Sequence, residues 1–365
     1  MFKKNFWNVN FNYTFAVKKT NNMRTLIVDG NWNLKRNFHK QKTLKSSTGH
    51  LCGGVMGFIM SMKSVMNKVL PDRVVVAWDG FNAGKLRYDI YPPYKAKRKK
   101  NFENEERMIF NEGMTMDDKE RENFEIFKQK ILLKNILDEL FVRQMEIDYI
   151  EADDLIAQYV LKGEEDSEQI FIYSRDKDFL QLISDNVFII NPDNLWALDR
   201  KTYEEKYGYT VENELLFKCF DGDDGDGIGG VNGITRDTLI KYFPNMKKEK
   251  YLYQQLIEEC YEAKKDKKIG KRKIYDKIIE AQDVLYRNAK LINLKKPFLN
   301  SEARNLVDVV RHGTLDDSRE IGSAISLFTE SGLMMYVGQE FAGNFFSPFY
   351  MIMTKEKEYS NKMKM

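Results

Sequence analysis

Four short apolar runs in this chain each lead into acidic residues, and this pattern limits the possible folds more than any other feature. The runs are rich in β-branched residues: RTLIVDG, VVVAWDG, MEIDYIEADD and IFIYSRDKD. Stretches with helical periodicity separate them, and alternating strands and helices are typical of an α/β protein with a parallel sheet. Because the carboxyl ends of parallel strands meet at one edge, we expect the acidic side chains to gather there.

An aspartate- and glycine-rich stretch at residues 221–234, here called the Asp-Gly segment, adds further carboxylates to this set. The candidates are Asp29, Asp79, Glu151, Asp153, Asp154, Asp176, Asp178, Asp223 and Asp226. So many like charges in one place repel one another unless divalent cations neutralise them. Their oxygen atoms suit Mg²⁺ or Mn²⁺, which predicts a two-metal phosphoryl-transfer site. Taken singly, each acid could equally cap a helix or lie on the surface.

Composition narrows the class of protein further. The chain has 365 residues with 42% hydrophobic content, enough for a substantial core. No apolar run approaches the roughly 20 residues that span a bilayer. Cys52, Cys219 and Cys260 lack CxxC spacing, which argues against a disulfide framework or a zinc site and favours a reducing compartment such as the cytoplasm. The lysine-rich segments 95–100 and 264–273 are either solvated surface or phosphate-binding segments.

Hydrophobic periodicity predicts the order of elements along the chain. Strands are expected at residues 24–28, 73–78, 145–150 and 169–173, an edge hairpin at 186–198, and helices at 50–69 and 211–220. This order predicts an α/β core at 23–200 with a charged helical insertion at 95–141, a helical region at 201–295 and a helical tail of unassigned role at 296–365. Residues 1–22 show neither helical nor strand periodicity, so we expect either a disordered extension or a start codon that was assigned too far upstream.

The Asp-Gly segment could be mistaken for two other sites. Its glycines satisfy GxGxxG, but no strand precedes them and its aspartates would repel a pyrophosphate. An EF-hand loop would need Gly and Glu where the chain has Asp226 and Asn232. What remains is a pair of carboxylates followed by a glycine-rich turn, which lets the backbone approach a nucleic-acid phosphate closely. The glycines of that turn are Gly229, Gly230 and Gly233.

In this order along the chain, the motifs resemble the flap endonuclease or 5′-nuclease family, particularly stand-alone bacteriophage 5′→3′ exonucleases and the nuclease domains of bacterial DNA polymerases. The matching blocks are LIVDGNWNLKR, VVVAWDG, LRYDIYPPYKAKR, YIEADDLIA, SRDKDFLQL and FDGDDGDGIGGVNGI. The resemblance covers about residues 24–245. It implies a PIN-like α/β core with a mostly parallel sheet, a helical arch from about residue 102 to 141, and a helix-turn-helix that binds duplex DNA.

The resemblance also implies roles for individual residues. Asp79, Glu151, Asp153 and Asp154 would hold or orient a first metal. Asp176, Asp178, Asp223 and Asp226 would hold a second, partly through waters, with Asp29 close enough to position the metal-bound waters. Lys95 and Arg98 would face the scissile phosphate and offset its charge. The implied nucleic-acid contacts are Arg36, Arg87, Arg236, Gly229, Gly230 and Gly233.

The implied activity is a metal-dependent, structure-selective 5′-nuclease acting on DNA and RNA primers during replication or repair. Its cofactors would be two or more Mg²⁺ ions, which Mn²⁺ could replace, and K⁺ at the helix-turn-helix loop. Its partners would be DNA with 5′ ends or flaps, RNA–DNA hybrids and a sliding clamp or single-strand-binding protein, and we expect a monomer. Gln339, Ala342, Phe345 and Phe346 have the spacing of a clamp-docking peptide, although the aromatic residues could instead belong to the core.

Departures from the family pattern put substrate affinity in question. Thr235 and Asp237 replace a usual Gly and Lys, Gly227 replaces a frequent Asn, Lys97 replaces a common Asn, and Asp89 replaces a frequent Glu. Two other functions stay open: a branch-binding protein without catalysis, and a PIN-type ribonuclease acting on single-stranded RNA. The full set of acids argues against the first, and the Asp-Gly segment argues against the second.

Overall fold

Buried β-branched runs form the strands of a central sheet in the computed structural model, which describes residues 22–96, 117–268, 270–338 and 342–364. The strands are β1 (Arg24–Asp29), β2 (Arg73–Ala77), β3 (Arg143–Met145), β4 (Gln169–Tyr173), β5 (Val187–Ile190) and β6 (Ala197–Leu198). Their order is β3-β2-β1-β4-β5-β6, and only β6 is antiparallel to its neighbour. The predicted α/β class with a mostly parallel sheet is therefore confirmed.

Helices cover both faces of this sheet. They are α1 (Gly30–Lys40), α2 (Gly53–Val69), α3 (Lys85–Ile90), α4 (Asp118–Glu139), α5 (Ala152–Glu165), α6 (Arg200–Tyr207), α7 (Glu214–Asp221), α8 (Arg236–Tyr242), α9 (Tyr253–Lys265), α10 (Lys273–Glu280), α11 (Gln282–Ile292), α12 (Ser301–His312), α13 (Ile321–Glu330) and α14 (Ala342–Lys364). A small hairpin joins β7 (Gly222–Asp223) to β8 (Ile228–Gly229). Within the described ranges, none of these helices has the length and apolar character needed to cross a membrane.

Alternating strand residues divide the core into two layers. In β1, Leu26 and Val28 face a cluster formed with α1, α2, α4, α13 and α14. Ile27 points to the other face and packs with α5, α7, α8, α9 and α12. Because both faces are covered, the strands are apolar throughout, as expected of a parallel sheet.

The topology fixes where a site can form. Strand β1 lies at the centre, and the chain continues to β2 and β3 on one side and to β4 and β5 on the other. Such a reversal of strand order opens a crevice at the carboxyl ends of the two strands that flank it, here β1 and β4. Asp29 ends β1, and Asp176 follows β4 closely.

The third strand differs from its prediction. We expected residues 145–150, but β3 ends at Met145. Tyr149 adopts a left-handed backbone with φ of 69°. Its N–H donates a hydrogen bond to the carbonyl of Phe81 at 2.6 Å, and Gly80 N donates one to the carbonyl of Ile150 at 3.1 Å. These bonds turn the segment away from the sheet and bring it against the loop that follows β2.

The range proposed for the arch, residues 95–141, includes a helix that packs in the core. Helix α4 lies inside the range 95–141, yet Leu133, Ile136 and Leu137 on its apolar stripe are fully buried beneath α2 and the sheet. The stripe was recognised correctly, but it marks a core helix. Residues 97–116, which include Lys97, Arg98 and the start of the predicted arch, lie outside the described residues, as do residues 1–21.

The last helices belong to the packed core. Phe345 and Phe346 on α14 are buried against Phe328 on α13, with ring centroids 5.8 and 5.3 Å from that residue. The clamp-docking interpretation is therefore wrong for these two rings, because a docking peptide must present them to a partner. Gln339 lies outside the described residues.

Candidate active site

Asp29 and Asp79 are held at the carboxyl edge of the sheet by their own hydrogen bonds. Asp29 caps α1 and accepts hydrogen bonds from Trp32 N and Ser174 Oγ, each with a donor–acceptor distance of 3.1 Å. Asp79 accepts hydrogen bonds from Ala152 N over 2.9 Å and from Asn31 Nδ2 over 2.7 Å. A capping role and a place in the crevice thus occur together in these residues.

Four carboxylates face one another here: Asp29, Asp79, Asp153 and Asp176. We call them the sheet-edge group. Burial and the neighbouring charges of Asp79 and Asp176 raise the pKa of Asp29 to about 7. Burial, Asp176 and Asp29 raise the pKa of Asp153 well above its ordinary value. These shifts report uncompensated negative charge, which a divalent cation bound by the oxygens would relieve.

A second set of carboxylates, Asp178, Asp223 and Asp226, lines the adjoining cleft together with Asp153. We call it the loop group. Lys218 Nζ, on α7, forms an ion pair with Asp178 and lies 3.3 Å from Asp223 Oδ2. Asp226 N donates a hydrogen bond to Asp223 Oδ1 over 3.1 Å, which fixes the two acids relative to each other.

The sequence interpretation missed Lys218. It is a buried lysine inside the apolar run LLFKCF, directly before the Asp-Gly segment. A buried ammonium requires an anionic partner, so a lysine within an apolar helix face next to an acidic loop was the available signal.

Lys95 approaches the carboxylates from the opposite wall of the cleft. Its ammonium forms an ion pair with Glu151 and lies 3.6 Å from Asp226 Oδ2, and its backbone N–H donates to the carbonyl of Asp226 over 2.9 Å. Although burial alone would lower the pKa of Lys95, the charge of Glu151 holds it well above the ordinary value. The structure thus places Lys95 among the carboxylates, whereas its predicted companion Arg98 is outside the described residues.

Glu151 and Asp154 are engaged by cations and are not free to hold a metal as they stand. Arg87 Nη1 donates to Glu151 Oε2 over 2.6 Å, and Arg87 Nη2 donates to Asp154 Oδ1 over 2.8 Å. Phe298 N also donates to Asp154 Oδ1, over 2.9 Å. Burial would raise the pKa of Glu151, but Lys95 and Arg87 outweigh it and lower the pKa to about 2. Without metal, the oxygens of both acids that the resemblance places at the first metal are therefore paired with Arg87, and those of Glu151 with Lys95 as well.

The same contacts correct the assignment of Arg87. Its side chain is buried, and its Nε donates to the carbonyl of Leu291 over 2.8 Å. In this arrangement the donors of the Arg87 guanidinium are engaged by two carboxylates and a carbonyl, so it presents none to a nucleic-acid phosphate. Sequence spacing identified the motif but could not show which of its cations turns inward.

The other predicted nucleic-acid contacts are partly committed elsewhere. Arg36 Nη2 donates to Asp193 Oδ1 over 2.9 Å, and its guanidinium lies over the ring of Trp32. Arg236 Nε donates to Asp221 Oδ2 over 2.9 Å, and its Nη1 donates to Tyr209 Oη over 2.7 Å. Both arginines keep a partly exposed side chain at the protein surface.

The three glycines have different reasons for lacking a side chain. A Cβ on Gly230 would lie 2.3 Å from the carbonyl oxygen of Phe220, so the hairpin could not close onto α7. Gly233 has φ of 75°, where other residues are strained. Gly229 is exposed with open space around it, so its packing makes no such demand. Of the three, Gly230 is explained by packing and Gly233 by its backbone.

The carboxylates fit a metal in chemistry but are not closed around one. In the ranges that the structure describes, no three carboxylate, imidazole or thiolate groups are arranged so that they could hold an ion directly. In the loop group, Lys218 and Lys95 lie among the acids instead. The donor set is all oxygen, and Mg²⁺ retains several waters when it binds such sites. Water-bridged binding, with movement of the lysines, is therefore compatible with this arrangement.

Comparison with known proteins identifies the family. Residues 24–208, about half of the chain, match the family described as 5′–3′ exonuclease, N-terminal resolvase-like domain. The chain belongs to this 5′–3′ exonuclease family. The resemblance predicted from the motifs is thereby confirmed.

Relatives in this 5′–3′ exonuclease family include free-standing and fused proteins. The chain is 30% identical over 218 residues to the thermostable DNA polymerase I of Thermus aquaticus, a match that covers 60% of this chain and 23% of that protein. It is 26% identical over 298 residues to a 5′–3′ exonuclease of Aquifex aeolicus, covering 79% and 96% of the two chains. The chain thus spans about a quarter of the length of the polymerase.

Solved structures show the same fold. A bacteriophage T5 5′-exonuclease with bound divalent metal ions (zinc) superposes with a TM-score of 0.57 at 18% identity, covering 84% of this chain and 98% of that one. The T5 flap endonuclease in a pseudo-enzyme–product complex with DNA and metal ions gives 0.56 at 18% identity, covering 85% and 99%. The predicted fold of the exonuclease family is therefore confirmed.

Proposed function

We propose that this protein is a metal-dependent, structure-selective 5′-nuclease that hydrolyses phosphodiesters of DNA near a 5′ end or at the base of a 5′ flap. The observation that carries the proposal is the cleft in which Asp153 of the sheet-edge group meets the loop group, with Lys95 and Lys218 held among the acids. Membership of the 5′–3′ exonuclease family supports it. The T5 flap endonuclease bound to DNA and metal ions supports the substrate class.

The two groups of carboxylates would hold two or more Mg²⁺ ions, with Mn²⁺ as a substitute. When bound, these ions would supply Lewis-acid chemistry at the scissile phosphodiester. The ligands we propose are Asp29, Asp79, Asp153 and Asp176 for one position, and Asp178, Asp223 and Asp226 for the other. This division differs from the sequence-based one, because Asp176 lies with the sheet-edge acids and Glu151 and Asp154 are paired with Arg87.

The lysines would have two states. Without substrate, Lys95 and Lys218 balance part of the carboxylate charge in the cleft. With metal and DNA bound, that charge is balanced by the ions, and the ammonium groups become available to donate hydrogen bonds to phosphate oxygens. Arg98 would join Lys95 at the scissile phosphate.

The segment from α7 through the β7–β8 hairpin to α8 would bind the duplex beside the cleft. Its exposed backbone at Gly229 and Gly233 can approach a DNA phosphate, and Arg236 lies at the start of α8. We propose that this segment is the helix-turn-helix of the family pattern and that K⁺ binds at its loop. RNA primers and RNA–DNA hybrids are further proposed substrates.

A cleavage assay tests this function. A 5′-flap duplex labelled at its 5′ end is incubated with Mg²⁺ or with EDTA and the wild-type protein, Asp153→Asn or the control Glu165→Gln. Both acids lie on α5, but Glu165 is exposed at its far end. We expect Mg²⁺-dependent cleavage near the junction, a loss of roughly a hundredfold or more for Asp153→Asn, and no change for Glu165→Gln.

Two results would contradict the proposal. Tight flap binding by the wild-type protein without any cleavage in Mg²⁺ or Mn²⁺ would favour a branch-binding protein. Faster cleavage of single-stranded RNA than of the flap would favour a PIN-type ribonuclease.

A further inference from the structure

Three cationic side chains converge on one carboxylate at the carboxyl edge of the sheet. Asp193 lies in the turn between β5 and β6, and its oxygens are 2.9 Å from Arg36 Nη2, 3.2 Å from Arg175 Nη2 and 3.9 Å from Lys40 Nζ. We call these four residues the Asp193 cluster. One carboxylate cannot neutralise three cations, so the cluster carries a net positive charge.

The Asp193 cluster is built on the same residues that support the candidate active site. Arg175 follows Ser174, whose hydroxyl donates to Asp29. The guanidinium of Arg36 lies over the ring of Trp32, and the backbone N–H of Trp32 donates to Asp29 as well. The cluster is therefore fastened to the edge that carries Asp29, and its position relative to the acids is fixed by helix α1 and the end of β4.

The opposite end of strand β5 provides a contrast. There Arg200 lies 3.2 Å from Asp185 and also pairs with Glu212, so two acids share one cation. At the carboxyl end, three cations share one acid. Exposed ion pairs contribute little to stability, in the range of about 0–1 kcal/mol. Fastening the β5–β6 turn would need only one such pair, so the two additional cations call for another explanation.

Exposure shows that the cluster can be reached from solvent. The side chains of Lys40, Arg175 and Asp193 are 55%, 43% and 37% exposed, whereas that of Arg36 is 13% exposed and supports the cluster from below. Arginine presents a planar fork of donors that matches two oxygens of a phosphate, and lysine adds a mobile point charge. A net positive set with an exposed arginine and lysine and a mostly buried second arginine, beside a row of buried acids, fits a phosphodiester whose neighbouring linkage lies at the acids.

We propose that Arg36, Lys40 and Arg175 form a subsite for a backbone phosphate of bound DNA next to the one that reacts, and that Asp193 keeps the three side chains gathered until the phosphate arrives. The proposal rests on the proposed nuclease function and extends it by a positioning site outside the cleft. Asp193 competes with the phosphate for the same donors. Removing a cation should therefore weaken DNA binding, whereas removing the carboxylate should strengthen it.

The test compares matched variants in a binding experiment. The full chain is titrated into a fluorescent 5′-flap duplex in Ca²⁺, which replaces Mg²⁺ so that the intact substrate can be followed, at several KCl concentrations. Arg175→Gln should weaken binding roughly threefold to tenfold. It should also reduce the slope of log affinity against log salt by about 0.9, the value for one phosphate contact.

Three further variants complete the design. Asp193→Asn should tighten binding by roughly threefold. Arg200→Gln removes two ion pairs at the far end of β5, one of them with the same 3.2 Å separation, and should leave affinity and slope unchanged. Arg175→Lys keeps the charge without the planar fork and should fall between wild type and Arg175→Gln. Thermal unfolding of each variant shows that it is folded.

The outcomes separate this proposal from the nuclease proposal. If wild type cleaves the flap but Arg175→Gln retains wild-type affinity and salt slope, the phosphate subsite is overturned and the nuclease function stands. If Asp193→Asn weakens binding as Arg175→Gln does, the cluster only fastens the β5–β6 turn, and the subsite is again overturned. If wild type binds DNA without cleaving it while the variants follow the expected order, the nuclease proposal fails and the subsite stands.

Discussion

The guanidinium of Arg87 lies between two carboxylates in the interior. It donates to Glu151 and to both oxygens of Asp154, and only 5% of the residue is exposed. A buried ion pair adds little net stability compared with an apolar replacement of both partners, but removing one partner leaves a buried charge uncompensated. Arg87 is thus required by the charges of its partners, which α5 holds in place.

Arg87→Met should therefore destabilise the protein strongly. We expect the free energy of unfolding to fall by about 3–5 kcal/mol, because Glu151 and Asp154 lose their shared cation inside the protein. Urea unfolding followed by circular dichroism measures this. The control is Lys85→Met on the same helix, whose ammonium pairs with exposed Asp89 and should cost less than about 1 kcal/mol. A stable Arg87→Met variant that binds DNA poorly would show instead that Arg87 contacts the substrate.

At the scale of elements, helix α14 is tied to the amino ends of two strands. Glu356 Oε1 accepts hydrogen bonds from Arg143 Nε over 2.8 Å and from Arg73 Nε over 3.3 Å, and all three residues are buried. Arg143 Nη1 also donates to the carbonyls of Val310 and Gly313 at the end of α12. One carboxylate therefore joins β2, β3, α12 and α14 at the end of the sheet opposite the candidate active site.

Glu356→Ala should loosen this junction. We expect a loss of about 3–5 kcal/mol in the free energy of unfolding, since two buried arginines lose their anion. The control Glu358→Ala alters an exposed residue on the same helix and should change stability by less than about 0.5 kcal/mol. Because the junction lies far from the cleft, flap cleavage per folded molecule should be unchanged below the melting temperature. Loss of cleavage without loss of stability would show that α14 acts on the site.

At the scale of the whole molecule, sequence patterns predicted what depends on local chemistry. Strand β4 has the predicted limits because its apolar run is bounded by polar residues on both sides. The gathering of Asp29, Asp79 and Asp176 at one edge follows from parallel topology, and the first turn of α5 adds Asp153. The strand-and-helix order was sufficient for these features, because neither requires knowledge of distant contacts.

Features set by distant contacts were not predictable in this way. Arg87 and Lys95 belong to one motif, yet only the fold shows that Arg87 is enclosed by α5 while Lys95 reaches the cleft. Phe345 and Phe346 have a docking spacing, and only their packing on Phe328 shows that they are core. In each case the deciding partner lies far along the chain, where periodicity and spacing carry no information.

The metal-free protein holds more negative charge at the sheet edge than its cations balance, and this should make its stability depend on pH. Burial, Asp79 and Asp176 raise the pKa of Asp29 from 3.8 to about 7, and the pKa of Asp153 is raised as well. At a pH between these two values, Asp29 keeps its proton in the folded state but has released it in the unfolded state. Stability therefore falls as pH rises from about 4 to about 7. Glu151 acts in the opposite sense, but only below its ordinary pKa of 4.5.

Thermal unfolding in EDTA should therefore show a melting temperature that decreases from about pH 5 to about pH 7.5. Mg²⁺ binds the deprotonated carboxylates, so it should raise the melting temperature more at the higher pH, where fewer protons compete. In EDTA, the melting temperature of Asp29→Asn should fall less with rising pH than that of wild type, because the asparagine amide does not titrate in this range. The control Asp185→Asn, an exposed acid at the amino end of β5, should retain the full decrease. If the wild-type melting temperature in EDTA is flat or rises across this range, the sheet-edge group is not the source of uncompensated charge that its geometry indicates.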